Sequence, residues 1–101
     1  MNKGYLLSAI CGQYYTGVLP TDDKLKAVLE ETLKGSELFV IENRFGDKSM
    51  TLKEVAAIYR RTDGVIGVTP ERIRQIESRA IRKLRFYSRT DQLGILKSDV
   101  R

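Results

Sequence analysis

The sequence contains no histidine, no tryptophan and one cysteine, Cys11, among its 101 residues. Without histidine or a cysteine cluster, neither a zinc site nor a histidine-based catalytic triad has the side chains that it needs. A single thiol forms no intramolecular disulfide, which is typical of a protein from a reducing compartment. We therefore expect no enzyme, no catalytic residue, no metal site and no other cofactor.

Long apolar runs are also missing. The stretch from Tyr5 to Cys11 is too short to cross a bilayer, and polar residues follow it instead of a signal-peptide cleavage site. A content of 42% hydrophobic and 31% charged residues fits a folded globular chain. We expect a cytoplasmic protein with no membrane contact and no small-molecule ligand.

Positive charge is concentrated in one place. Segment 69–89 holds seven Lys and Arg residues against two acidic residues, whereas the rest of the chain has eleven of each. The formal net charge of +5 therefore lies on one predicted helix and its exit. Such a surface is suited to a polyanionic partner.

Spacing of apolar residues predicts an all-α fold, a small helical bundle containing a winged-helix-like helix-turn-helix, with an N-terminal helical extension. Glycines and Pro20 set off residues 1–20, an extension that we expect to form a short helix, from a domain spanning residues 21–101. One helix is predicted to be capped by Thr21 or Asp22. Ser36 is predicted to cap a second helix, from Glu37 to Arg44. A capping box of Thr51 and Glu54 predicts a third helix, from Leu52 to about Tyr59.

The basic helix is predicted to begin at Pro70, with Thr69 as its N-cap. Its apolar stripe is expected to face a core, and Glu77 to pair within the helix with Arg74 or Arg82. Beyond the helix, Phe86 and Tyr87 are expected to pack back on the body, before a short last helix that starts near Ser88 and contains Leu93 and Leu96. The residues of the apolar stripe are Ile73, Ile76, Ala80 and Leu84.

Two consecutive helices, the second bearing Arg and Gln near its start, have the layout of a helix-turn-helix that reads duplex DNA. Side chains in the first turns of the second helix would reach base edges, since Arg matches guanine and Gln matches adenine. Side chains further along, here Arg82 and Lys83, would reach phosphates.

Three segments also carry a resemblance to a known family: LFVIENRFG (38–46), MTLKEVAAIY (50–59) and VTPERIRQIESRAIRKLR (68–85). The chain resembles the C-terminal domain, region four, of housekeeping-type bacterial sigma factors. That resemblance implies binding to the minus-thirty-five promoter element and docking on the β-subunit flap of RNA polymerase. It implies base reading by Glu71, Arg72, Arg74 and Gln75, and phosphate contacts by Thr69, Arg79 and the backbone amide of Leu52.

The sequence departs from the family pattern at three places. Pro70 stands where the family has a guanine-reading Arg, and Ser36 stands where a phosphate-binding Arg is common. Between Tyr59 and Val68 the family has about one residue, whereas this chain has eight. Either the first helix continues through Arg61 or a loop with an Asp63-Gly64 turn intervenes. Arg60 and Arg61 would then add phosphate contacts, or Val65 and Ile66 would offer an apolar surface to a partner.

No segment is long enough for the other domains of a sigma factor, so the chain is either an excised domain or a stand-alone module. We expect the second, in a bacterial cell or a phage-infected bacterium, as a protein of phage or mobile-element origin or a split sigma subunit. The expected partners are promoter DNA, the RNA polymerase core and, as a further candidate, another sigma-type subunit. Two alternatives remain open: an adaptor or inhibitor that binds polymerase with little use of DNA, and an independent dimeric repressor.

Overall fold

Helices account for the regular structure of this chain, as the sequence predicts. The computed structural model describes residues 1–101 apart from the side chain of Tyr87. Within this description the α-helices are α1 (Lys3–Cys11), α2 (Asp22–Thr32), α3 (Gly35–Arg44), α4 (Leu52–Ile58), α5 (Pro70–Leu84) and α6 (Tyr87–Gln92), followed by a 3-10 turn at Lys97–Asp99. No helix in the described part of the chain has both the length and the apolar character needed to span a bilayer.

Local capping explains where α2, α4 and α5 begin. The Thr21 hydroxyl accepts a hydrogen bond from the backbone of Lys24. At α4, the Thr51 hydroxyl accepts from the backbone of Glu54 (3.1 Å) while the Glu54 carboxylate accepts from the backbone of Thr51 (2.9 Å). Thr69 caps α5, whose first residue is Pro70. The capping box and the Thr69–Pro70 start are therefore confirmed, and Thr21 is the cap of α2.

The predicted start of α3 is wrong by two residues. The helix begins at Gly35, and Ser36 lies inside its first turn rather than capping it. The reason is Glu37, whose Oε1 accepts a hydrogen bond from the backbone N–H of Lys34 at 3.0 Å. This carboxylate satisfies a free donor at the helix start, which a Ser36 cap would otherwise have had to do.

Two apolar clusters hold the helices together, and α5 contributes to both. The larger joins α1, α2, the end of α3, the second half of α5 and the segment after α6. The smaller joins α3, α4 and the first half of α5, with Val40, Val55, Ala56, Ile73 and Ile76 at its centre. The predicted apolar stripe of α5 is buried throughout, at 0–1% exposure. One side of α5 is thus fixed in the core and the other faces solvent.

Helix α1 shares the larger cluster with α2 through Leu6, Leu7 and Ile10. Its C-terminal end is held by Arg85, whose Nε donates to the backbone oxygen of Ile10 at 2.8 Å. The backbone N–H of Arg101 donates to the Cys11 oxygen, also at 2.8 Å. Residues from both ends of the chain therefore support the second half of α5.

The last helix differs from its prediction. It spans Tyr87–Gln92, so that Leu93 caps it and Leu96 lies beyond it, 66% exposed. Phe86 is 67% exposed at the corner between α5 and α6, and the expectation that it packs back is wrong. Thr90, Leu93 and Ile95 are buried in this region, whereas Phe86 lies outside the core. The predicted packing of Tyr87 lies outside the described side chains.

Candidate nucleic-acid interface

Most of the side chains that we predict to contact DNA lie together on the exposed side of α5. Because α5 is anchored through its apolar stripe, residues at three- and four-residue spacing on the other side form a continuous polar surface. Arg74, Gln75, Ser78, Arg79 and Arg82 line a shallow depression of about 410 Å³ along it, which we call the α5 patch. All five are exposed.

Two of the expected base-reading residues are paired with each other. Arg74 Nε lies 2.9 Å from Glu71 Oε2, and Arg74 Nη2 lies 2.6 Å from Glu71 Oε1. The hydrogen bonds from Arg74 lower the pKa of Glu71, and the same carboxylate raises the pKa of Arg74. Arg74 therefore makes a bidentate contact with Glu71 on the solvent-exposed side of α5, which places carboxylate acceptors beside guanidinium donors.

Arg72, Arg79 and Arg82 differ from Arg74 in forming no ion pair with a described carboxylate. Among the described side chains, none of the three takes part in an ion pair within 4.0 Å. Their guanidinium groups present donors and charge directly to solvent, which is the state that binding to a phosphate requires.

Lys83 occupies a different environment from its neighbour Arg82. Its Nζ lies 2.8 Å from Glu37 Oε1, and the Glu37 side chain is only 2% exposed. Burial alone would raise the pKa of Glu37, but hydrogen bonds from Lys83 and from the backbone of Lys34, with the charges of Lys83 and Arg79, lower it overall. Lys83 thus links α5 to α3 and is not among the residues that line the α5 patch.

Glu77 forms an ion pair between helices. Arg44 Nε lies 3.0 Å from Glu77 Oε1, with side-chain exposures of 20% and 15%. The intrahelical partner predicted for Glu77 is therefore wrong. Arg44 also donates through Nη1 to the backbone oxygen of Met50 at 2.9 Å, so one guanidinium joins α3, the approach to α4, and α5. Sequence reasoning missed both Arg44 and Glu37, because their partners lie 33 and 46 residues away.

The connection between α4 and α5 is a short hairpin, residues 59–67, which we call the connecting hairpin. Arg60 and Ile66 form an antiparallel β-bridge, and the backbone N–H of Arg61 donates to the Val65 oxygen at 2.8 Å. The turn closes at Gly64, whose φ of 87° favours glycine. Helix α4 ends at Ile58, so the loop alternative with an Asp63-Gly64 turn is the one observed.

The connecting hairpin and the start of α5 enclose a second depression, the hairpin cleft, of about 440 Å³. Its lining includes the two expected contact residues Thr69 and Arg72 together with Arg61 from the hairpin. Arg60 is exposed on the hairpin. The lining residues are Tyr59, Arg61, Thr62, Val68, Thr69 and Arg72.

Leu52 is the first residue of α4, and its side chain packs against the smaller cluster. Any contact by Leu52 with an anion therefore belongs to its backbone N–H, one of the donors that a helix start leaves free. Thr51 already accepts from the backbone of Glu54.

The described residues contain no group of three metal-ligating side chains. Cys11 is fully buried, and burial, with the nearby charge of Asp99, raises the pKa of its thiol despite the opposing effect of Arg85. The thiol is thus protonated and inaccessible at neutral pH, which makes it a packing group rather than a nucleophile.

Comparison of the sequence with known proteins shows to which family the chain belongs. Residues 31–85 match Sigma-70, region 4. The chain is similar to the RNA polymerase sigma factor SigA of Listeria monocytogenes and to that of Listeria innocua, at 45% identity over 74 residues in each case. These alignments cover 70% of the chain but 18% of each sigma factor. No solved structure matches.

The matched range contains α3, α4, the connecting hairpin and α5 up to Arg85, and it includes both halves of the helix-turn-helix. The range is more than half of the chain, and it contains every residue of the α5 patch. The chain belongs to the Sigma-70, region 4 family.

Proposed function

We propose that this chain is a DNA-binding transcription regulator that recognises a minus-thirty-five-like promoter element with α5 and docks on RNA polymerase through the β-subunit flap. Membership of the region 4 family implies a DNA-binding, polymerase-related role rather than a catalytic one. The observation that carries the proposal is the α5 patch, a row of exposed Arg and Gln side chains on a helix whose opposite side is fixed in the core.

The proposed base contacts belong to the first two turns of α5. A helix start that enters the major groove presents Glu71, Arg72, Arg74 and Gln75 to base edges and to the phosphates beside them. In the Glu71–Arg74 pair, the carboxylate suits the amino group of cytosine, and the guanidinium suits guanine or an adjacent phosphate. This part of the proposal accounts for sequence preference.

The proposed phosphate contacts surround that reading site. Hydrogen-bond donors lie around the start of α5 and along its exposed side, and they belong to Thr69, the backbone N–H of Leu52, Arg79 and Arg82. We leave Lys83 out of this set because its ammonium group is engaged by the buried carboxylate of Glu37. Phosphate contacts fix the position of the protein on a duplex and make the affinity depend on salt.

Single substitutions on α5 test the two kinds of contact. Arg74→Ala is expected to reduce the preference for a duplex with a minus-thirty-five-like hexamer over a scrambled one, whereas Arg82→Ala weakens binding to both alike. Fluorescence anisotropy on labelled duplexes measures both. Equal losses on the two duplexes for Arg74→Ala would exclude base reading by this residue.

A second candidate function is a polymerase-binding adaptor or inhibitor that makes little use of DNA. Pro70 favours it, because the first residue of α5 offers no side-chain donor where the family pattern has Arg. Capture of purified RNA polymerase by the immobilised chain in the absence of DNA, combined with duplex titration, separates the candidates. Polymerase capture without any salt-dependent duplex binding would favour the adaptor.

A further inference from the structure

We propose that the connecting hairpin is a second DNA-contacting element, which holds one backbone phosphate in the hairpin cleft beside the groove that α5 enters. This inference rests on the proposed DNA-binding function and adds a contact that the helix-turn-helix alone does not make. It concerns the eight residues that distinguish this chain from the family pattern, together with the start of α5.

The chemistry of the hairpin cleft suits a phosphate. Two arginines from separate elements, Arg61 of the hairpin and Arg72 of α5, line the cleft with the hydroxyl groups of Thr62 and Thr69. The lining contains no acidic residue. Two guanidinium groups and two hydroxyls supply the donors and the charge that a phosphodiester attracts.

Charge distribution on the hairpin points the same way. Arg60 adds a third exposed cation, and in the described part of the chain neither Arg60 nor Arg72 has a carboxylate within 4.0 Å. Arg61 does have one, since its Nη2 lies 3.0 Å from Asp63 Oδ2. Both side chains of that pair are about half exposed, so solvent screens the pair and a phosphate can compete for Arg61.

Backbone hydrogen bonds hold the hairpin against the helix-turn-helix. The Gly67 N–H donates to the Tyr59 oxygen at 2.7 Å, and the Val68 N–H donates to the Ala56 oxygen of α4 at 3.0 Å. The cleft is therefore fixed relative to the start of α5. Pro70 places no cation at the first position of α5, and Arg61 supplies one from the hairpin.

Val65 and Ile66 are the competing feature, since they are 51% and 59% exposed and would suit an apolar protein surface. We favour DNA because Arg61 of the hairpin lines the same cleft as Thr69 and Arg72, two of the residues expected to contact DNA. The Ile66→Ser variant described below tests whether the hairpin binds a protein partner instead.

The experiment is a fluorescence anisotropy titration of the full chain on a labelled duplex, repeated over a series of salt concentrations. Arg61→Ala is expected to weaken binding by about tenfold at low salt, on specific and scrambled duplexes alike. The slope of log K against log salt should become shallower by about 0.9, the value of one phosphate contact. Thermal unfolding followed by circular dichroism checks that the variant is folded.

Asp63→Asn is the matched variant with the opposite expectation. The amide keeps an oxygen for the Val65 N–H, which Asp63 Oδ1 accepts at 3.0 Å, but it removes the charge that competes for Arg61. This variant should bind the duplex more tightly than the wild type. Ile66→Ser, which changes only the apolar surface, should bind DNA like the wild type.

Three results would overturn the inference in different ways. If Arg61→Ala binds like the wild type while Arg79→Ala is weaker, the hairpin contact is wrong and the proposed function stands. If Ile66→Ser loses polymerase capture while Arg61→Ala leaves duplex binding unchanged, the hairpin is a protein-docking element. Absence of salt-dependent duplex binding by the wild type would overturn the inference together with the proposed function.

Discussion

Substitution of Lys83 by Met should destabilise the fold without weakening DNA binding. The ammonium of Lys83 is the side-chain partner of Glu37, whose carboxylate is 2% exposed. Lys83→Met leaves that carboxylate with the backbone N–H of Lys34 as its remaining hydrogen-bond donor. Loss of one partner from a fully buried ion pair costs about 3–5 kcal/mol.

The expected cost here is smaller, because Lys83 is 31% exposed and water reaches its side of the pair. The remaining Lys34 hydrogen bond also limits the loss. We expect the free energy of unfolding to fall by about 2 kcal/mol, which corresponds to a decrease of about 10 °C in Tm for a domain of this size. The double variant Lys83→Met/Glu37→Gln should recover part of that loss, since no buried charge remains.

Urea denaturation followed by circular dichroism measures the stability, and Arg82→Met is the matched control. Arg82 is adjacent in sequence but exposed on the α5 patch, so its substitution should change stability by less than about 0.5 kcal/mol. In duplex titrations, Arg82→Met should make the salt dependence shallower and Lys83→Met should not. Wild-type stability with weaker DNA binding for Lys83→Met would refute this reasoning and make Lys83 a phosphate contact.

Three further substitutions test other parts of the fold. The pKa of Glu37 is lower in the folded protein than in the unfolded chain, so its carboxylate stabilises the fold above the ordinary glutamate pKa of about 4.3. This stabilisation is lost as the pH falls through the lowered pKa. Urea denaturation at a series of pH values should show the loss in the wild type but not in Glu37→Gln. Thr51→Ala removes the α4 cap and should cost about 1 kcal/mol by the same assay. Arg44→Met breaks the partly buried pair with Glu77, and we expect a loss of about 1–2 kcal/mol, visible as a lower Tm.

The parts of the fold that follow from the sequence are those decided by local interactions. Thr51 and Glu54 satisfy each other's backbone donors within four residues. At the start of α5, the Thr69 hydroxyl accepts from the backbone N–H of Arg72. The apolar spacing of α5 fixes which side is buried, and thereby which side is free for DNA. These features need no knowledge of the rest of the chain.

The features that the sequence did not predict depend on pairs of residues far apart in the chain. Glu37 both starts α3 and binds Lys83, and neither role is visible until the two helices pack together. Glu77 has basic residues nearby on its own helix, but Arg44 on α3 is the partner that packing brings within 3.0 Å. Phe86 resembles a core residue by type, yet the corner between α5 and α6 leaves it in solvent.

The structure of the connecting hairpin depends on both local and more distant interactions. The Asp63-Gly64 turn is a local signal, and the Asp63 side chain indeed accepts from the backbone of Val65. The choice between a longer helix and a hairpin is made by hydrogen bonds to Tyr59 and to Ala56 of α4, which hold the far end of the loop. A sequence pattern does not contain that information.

Binding of the full chain to duplex DNA at two salt concentrations tests the central claim most directly. We expect the chain to bind both a minus-thirty-five-like duplex and a scrambled duplex, the first more tightly, and we expect both affinities to fall steeply with added salt. Duplex binding that is absent, or that does not respond to salt, would contradict the assignment of the α5 patch as a DNA-binding surface.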